Sequence, residues 1–451
     1  MRSPQPMARR ASTPRPGPRG AASLVVVMVM FFIIAMVAAY TSRNLVFEQR
    51  TSANQFRATL AFEAASAGLD WALTRLNDAR METNCTPLAS ASAVGSPAQP
   101  SFREAFLATD PVTGVITPVA DRMAGCVFDG SDWSCDCPAP GVDPNPAFTA
   151  NGDGPYTAFW VRFTALAGGR AGVVRIEVNG CTRNDADCLR FTRQAEYGDG
   201  LAGLTAIASL RSAPGTAPIA ALTVRGNTSV DPAASFSLTN DSAGGRGVTV
   251  HSGSAFAASP VTLVSLPGSP AARSVVDADP SLELPDLVPA LSPPSPANSG
   301  ANRMFNSTFG MWPSTFAESP GVVTVDCSPC SASAINDAAL LNPGQVILAV
   351  GVGPLTIDAD IGSPTEPVAL VVEGSIEFGA APVTVHGLVY SRAATWTTGG
   401  SGTIRGAAVA EGNLNVLGTL NVFFDGPLLA RLRANTGSFV QLPGSWRDSA
   451  P

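Results

Sequence analysis

The sequence predicts an α+β, mainly β protein: a long N-terminal transmembrane helix, a small antiparallel meander, then a right-handed parallel β-solenoid with a loop-rich insertion. Three observations carry this. Residues 21–40, AASLVVVMVMFFIIAMVAAY, contain no charge, no proline and no glycine. The chain has 43 glycines and 38 prolines but only 14% charged residues, a balance that favours turn-rich β structure over a helical bundle. A tetrapeptide of the form Thr-(Val/Ile)-(Arg/His)-Gly recurs in the second half.

The apolar run from Ala21 to Tyr40 comes first. Twenty residues at about 1.5 Å rise span roughly 30 Å, the thickness of a bilayer's hydrocarbon core. Five arginines (Arg2, Arg9, Arg10, Arg15, Arg19) precede it, and no acid accompanies them. Without those five, the remaining 23 bases face 35 acids. The positive-inside rule puts residues 1–20 in the cytoplasm and the bulk beyond the inner membrane, in the periplasm or outside the cell. A cleaved signal peptide is the alternative, with Ala-x-Ala-like sites near Ala35 to Ala39. The run exceeds the usual 7–15-residue signal core, which favours a retained anchor. Either way the bulk of the chain is exported.

No breaker follows Tyr40. The next forty residues lack proline and hold one glycine, Gly68. Phe62, Ala65, Leu69, Leu73 and Leu76 recur at helical spacing, with Arg50, Arg57, Glu63 and Asp70 off that stripe. One helix over about 21–78 is expected, its first half in lipid and its second half laying an apolar stripe on an exported domain.

Arg19-Gly20, the aliphatic run, Phe47-Glu48-Gln49-Arg50, Asn54 and Ala61-Phe62-Glu63-Ala64-Ala65-Ser66-Ala67-Gly68-Leu69 together resemble a type IV pilin, more narrowly the PilX-like minor pilins. The resemblance covers about residues 19–78. It implies cleavage by a prepilin peptidase after Gly20, so that Ala21 becomes the new N-terminus, and passage of the helix from the membrane into a filament core. It implies as partners the inner membrane, other minor pilins and pilus assembly proteins, and a tip adhesin. Major pilins place a glutamate five residues after the cut, where this chain has Val25. A carboxylate in lipid is costly and persists where it has a role. Its absence fits a subunit with no neighbour ahead of it, as at a filament tip; the plain alternative is a degenerate anchor that never enters a filament.

Eight cysteines lie outside the apolar run, which in an exported chain reads as disulfides. Cys181 and Cys188 flank a short loop between strand-like runs, and Cys327 and Cys330 form a CxxC ahead of a helix-like SASAINDAALL; both are expected as loop staples. A redox role for the CxxC is the lesser reading, because no βαβ context surrounds it. Cys85, Cys126, Cys135 and Cys137 are expected to pair among themselves. No metal site and no cofactor are expected, since these cysteines lack zinc spacing and no histidine lies near.

The exported part divides by pattern. Residues 81–155, rich in Pro, Ser, Asp and Gly, read as disulfide-tied loop. Three strand signals follow: TAFWVRFTAL, GVVRIEVNG and CLRFTRQAEY. They complete a 79–200 domain, with Phe159, Val161, Phe163, Val174, Ile176 and Val178 packing on Leu69 and Leu73. From 201 to 425 a solenoid is expected. Its tetrapeptides are Thr223–Gly226, Thr384–Gly387 and Thr403–Gly406, with Thr249–Gly253 a near copy. An insertion over 284–344 would cover it with Met304, Phe305, Phe309, Met311, Trp312 and Phe316, either as core cover or, less favoured, as a binding surface. Residues 426–451 would cap the last coil, with Leu428, Leu429 and Leu432 on one helical face.

Catalytic chemistry is nearly absent. The two histidines, His251 and His386, fall in the same slot of the repeat, and coil position explains them better than catalysis. Asp277, Asp279, Glu283 and Asp286 read as solvated loop acids rather than a calcium or glycosidase site. Asn151–Gly154 has only part of a calcium-loop pattern. No basic stripe exists to bind nucleic acid. No enzyme activity is expected. The reading is a minor pilin-like protein acting in pilus assembly or adhesion. The alternative is a membrane-anchored β-helix enzyme acting on surface polysaccharide, which should present an acid pair or an Arg–acid cluster on an open groove.

Overall fold

The computed structural model describes residues 20–149, 156–183, 188, 200–242, 246–283, 300–327, 331–351 and 353–448. Two units divide the chain, Met1–Thr59 and Leu60–Pro451. One helix, α1 (Gly20–Arg75), accounts for every described residue of the first unit and enters the second. No proline or glycine interrupts the chain between Gly20 and Gly68, so nothing there breaks the helix.

The second unit contains a six-stranded antiparallel sheet. In spatial order its strands are Gly437–Gln441, Leu201–Ser212, Val173–Cys181, Ala158–Thr164, Met123–Phe128 and Trp133–Asp136. Two of the three expected meander strands are there. The third, CLRFTRQAEY, lies outside the described residues apart from Cys188. The other strands come from unexpected places. Leu201–Ser212, expected to open the solenoid, pairs along the whole of Val173–Cys181 and turns Leu204, Ala206 and Ala208 into the core. Residues 123–136, read as loop, form a hairpin in which Cys126 faces Cys135. The chain's end, expected to cap the solenoid, supplies an edge strand. The core between this sheet, residues 65–76 and helix α2 (Phe102–Phe106) contains Phe159, Val161, Phe163, Val174, Ile176 and Val178 with Leu69, and Leu73 packs against it partly buried. The expected packing set is therefore the observed one.

Apart from a short antiparallel pair, Leu107–Thr109 with Ile116–Pro118, the remaining strands run parallel in three ladders. The first stacks Val322–Asp326, Val346–Val350, Val368–Val372, the later halves of Val383–Ser391 and Ser401–Ala410, then Leu222–Val224, Val250–Ser252 and Val275–Val276. The second joins the earlier halves of the two long strands to Thr419–Phe424, Ser235–Thr239 and Thr262–Val264. The third is split into two sheets, Leu355–Ile357 on Ile376–Phe378, and Thr395–Thr398 on Asn413–Val416 and then Thr228–Val230. The chain enters mid-stack at Leu222, leaves at Val276, re-enters at the far end with Val322, and works back until Ala408 pairs with Leu222. The two sequence halves thus form one continuous stack.

The tetrapeptides do not share one position. Thr384–Gly387 and Thr403–Gly406 lie side by side, with Val385 and Ile404 fully buried. Gly387 (φ 143°) and Gly406 (φ 138°) make the bend between ladders, where a side chain would strike the neighbouring coil's backbone. Thr223 and Thr249 belong to the first ladder instead, where His251 sits opposite Thr223 while His386 sits opposite Arg405. The two histidines therefore occupy different slots.

Strands such as Val368–Val372 are apolar on both faces because both are covered. Val346, Leu348, Ala369, Val371, Leu388 and Val409 point outward and are buried beneath helices α3 (Gly300–Phe309), α4 (Pro313–Ala317) and α6 (Gly426–Asn435). Met304, Phe305, Phe309, Met311 and Phe316 supply that cover; Trp312 stays exposed. Strand Val322–Asp326 and helix α5 (Ala332–Leu341) fall within the span expected as insertion but belong to the stack. Ala332, Ile335 and Ala338 of α5 join the inner core beside Leu355 and Ile357. The stack is closed there by α5, while Leu429 and Leu432 of α6, expected as the cap, cover its flank.

Candidate functional site

Residues Ser23–Phe56 of α1 are exposed throughout, including Leu24 to Val37, where Phe31 is 74% exposed. Among the described residues this is the one helix long and apolar enough to cross a membrane. Val25 lies in the run, which contains no ionisable side chain before Tyr40. Just past Tyr40, the Thr41 hydroxyl donates to the Val37 carbonyl at 2.9 Å, so the helix satisfies it internally. Gly20 opens the helix, with Ala21 next. So much unpaired apolar surface has no stable existence in water; it requires lipid or other apolar helices.

From Leu60 on, the helix is seated on the antiparallel sheet by small residues. Ala61, Ala64, Ala65, Gly68, Leu69, Ala72 and Leu76 are buried. Phe62, expected on the stripe, is 39% exposed and meets Trp446 edge-on at 6.1 Å. The face turns toward alanines because the helix lies too close for larger groups. A Cβ on Gly180 would overlap the Ala61 carbonyl, and one on Gly68 would stand 2.7 Å from the Phe159 ring.

The lower end of the seat is locked by a polar knot that sequence reasoning missed. Asn77 accepts from the Phe439 amide at 2.7 Å and donates to the Phe439 carbonyl at 2.9 Å, bonding edge strand Gly437–Gln441 as a neighbouring strand would. Gln345 donates to the Asn77 carbonyl at 2.7 Å. The buried Arg103 guanidinium donates to the carbonyls of Leu76 (2.9 Å), Gly344 (2.9 Å) and Gly437 (3.1 Å), with a longer bond to Asn435 (3.3 Å). Leu76 and Asn435 are at the C-terminal ends of α1 and α6, where carbonyls carry partial negative charge. Burial pulls the Arg103 pKa down to about 10, which leaves it charged at neutral pH. One cation thereby ties the helix, the C-terminal segment and the stack together. Its signal was invisible because its partners lie 27 to 334 residues away and are backbone atoms.

The stack carries an Arg–acid cluster. Glu373, Arg392, Glu411 and Arg225 each follow a first-ladder strand, in consecutive coils. Arg392 pairs with Glu373, and with Glu411 at 3.1 Å; Arg225 donates to the Glu411 carbonyl at 2.6 Å. Burial pushes the Glu411 carboxyl up to about 7 against the pull of Arg392. Helix α3 covers the cluster, with Asn302 accepting from Arg392 at 2.8 Å and Phe305 stacked on its guanidinium at 5.0 Å. The histidines lie elsewhere. His251 bonds Asp279 at 2.7 Å, which with the Ser281 amide holds that carboxyl below its usual range. Burial and Arg405 lower His386. Asp277 accepts from the Phe256 amide, and Asp286 and Asn151–Gly154 lie outside the described residues.

Disulfides join Cys85 to Cys137, Cys126 to Cys135 and Cys181 to Cys188. Cys327 is also disulfide-bonded, and its expected partner Cys330 lies outside the described residues.

Residues 19–70 match the family model described as PilX N-terminal. The N-terminal region is that of a PilX-like type IV minor pilin. The PilX-like region takes in the whole exposed apolar stretch and the small-residue face down to Leu69, so the match and the geometry mark the same residues. The crystal structure of the competence-associated pilin ComZ from Thermus thermophilus is similar at 11% identity and a TM-score of 0.21, over 87% of this chain and 97% of that one. A likeness that slight carries no argument. No curated protein matches the chain.

Proposed function

We propose that this protein is a minor pilin-like subunit, held in the inner membrane by residues 21–40 before assembly and then incorporated at or near the tip of a type IV pilus. There it acts in pilus assembly or adhesion and catalyses no reaction. The observation that carries the reading is the coincidence of the PilX-like match with a helix that is apolar, fully exposed to Phe56, and then seated on an antiparallel sheet. The absence of a carboxylate at Val25 supports a terminal position. The parallel stack, read as a β-solenoid, is the displayed part. The Arg392 cluster supports a structural role, because its guanidinium is spent on Glu373, Glu411 and Asn302 beneath α3.

The proposal requires cleavage after Gly20 by a prepilin peptidase, leaving Ala21 as N-terminus. Intact-mass measurement of the protein from cells with and without that peptidase tests it. The expected result is loss of residues 1–20 only when the peptidase is present. An identical, uncut N-terminus in both would refute filament incorporation.

A further inference from the structure

A cleft of about 640 Å³ opens where the antiparallel module meets the stack, a common place for a binding site. Helices α5 and α6 form two walls, and the 360–368 loop closes a third. The charges in it are unevenly engaged. Arg80 bonds the Leu340 and Gln99 carbonyls and Glu104; Arg103 is held by the carbonyls described above; Arg431 donates to the Pro364 carbonyl at 2.6 Å. Each arginine is thus committed to the protein itself. Asp360 accepts from the Thr384 amide at 2.7 Å. The side chains of Asp337 and Glu366, on different walls, are exposed and make no hydrogen bond or ion pair among the described residues. The same lining includes apolar groups, foremost Leu340, which is 41% exposed and lies on the wall that carries Asp337.

We propose that this cleft binds a basic, partly apolar segment of a partner protein, its cationic heads on Asp337 and Glu366 and its aliphatic stems along Leu340. Free carboxylates on separate walls select positive charge. The apolar surface in the same cleft favours arginine or lysine side chains, whose stems cover apolar surface while the heads remain at the polar rim. The proposal does not depend on cleavage at Gly20 or on filament entry.

The test uses the full chain in nanodiscs of zwitterionic lipid, with empty discs as the blank. The probe is a fluorescein-labelled peptide of alternating leucine and arginine, five residues long, followed by anisotropy. Saturable binding with a Kd of about 1 mM or tighter is expected, weakened about fivefold or more by Asp337→Asn with Glu366→Gln. Leu340→Gln should weaken it about threefold by itself. The alternating leucine–glutamate peptide should not bind. Absence of saturation, or unchanged affinity in the charge and Leu340 variants, overturns the proposal. So does displacement by spermidine at equal concentration, which would mark a site for small polycations.

Discussion

Replacing Gly180 by alanine tests whether the helix really lies on the sheet at backbone distance. Gly180 is not at a left-handed φ, so conformation is not the obstacle; space is. Its new methyl would overlap the Ala61 carbonyl and the Ala65 amide, and would stand 2.8 Å from the Ala65 methyl. Ordinary contact begins near 3.4 Å, so the helix must rise at least about 0.6 Å for the methyl, and further to clear the carbonyl. A gap of 0.5–1 Å forfeits about a quarter to a half of each dispersion contact beneath Ala65, Leu69 and Ala72. Overpacking of a filled core costs about 1–3 kcal/mol, and here the obstacle is backbone and cannot swing aside. A loss near the top of that range, about 3 kcal/mol, is expected, roughly a hundredfold in the folding equilibrium. Gly203→Ala is the control. It changes the adjacent strand, but its methyl meets nothing nearer than the Asn179 carboxamide oxygen at 3.4 Å. Urea unfolding of the full chain in detergent, followed by tryptophan fluorescence, reads both. Gly180→Ala within about 0.5 kcal/mol of Gly203→Ala would refute the close-packed seat.

Arg103→Met should cost about 3 kcal/mol or more, since it leaves several buried carbonyls unpaired; limited proteolysis should then release the C-terminal segment, and an unchanged cleavage pattern would count against the knot. Glu411 is expected to make stability pH-dependent. Its folded pKa of about 7 lies above its unfolded value, so the stabilising effect of keeping the proton is complete below about pH 4.5 and is lost as pH rises through 7. Thermal melts of Glu411→Gln should lack that part of the slope, and a wild-type slope in the variant would refute the assignment. Removing Cys85–Cys137 by a double serine change should cost about 2–5 kcal/mol in unfolding of the antiparallel module; a melt identical to wild type would deny it a structural role. Gly406→Val should disrupt the bend between the ladders, where φ is 138° and the Gly387 backbone abuts, lowering yield of folded protein relative to Gly399→Val, whose added Cβ meets open space.

Much of this was legible in the sequence because it is local. The apolar run, its charge asymmetry and the AF-x-AA-x-A stretch each need only neighbours in the chain to express themselves. The core set from Phe159 to Val178 followed from strand alternation alone. Phe62 was misplaced because helical spacing gives a stripe but not how closely the opposing sheet approaches; Gly180 decides that, and a larger residue there would have changed the answer. The histidines were wrongly paired because a repeated tetrapeptide records what a strand is made of and not which ladder it joins.

By itself, then, the sequence determined an exposed lipid-length helix, a mainly β body and the Cys181–Cys188 pair, since each depends on composition or spacing within a few turns or strands. Only the tertiary structure decided that residues 201–212 and 437–441 complete the antiparallel sheet, that Leu222 stacks on Ala408, and that Arg103 gathers carbonyls from distant segments. Strand edges and backbone carbonyls are chemically alike in every residue, so their partners are chosen by which surfaces meet once the chain has folded.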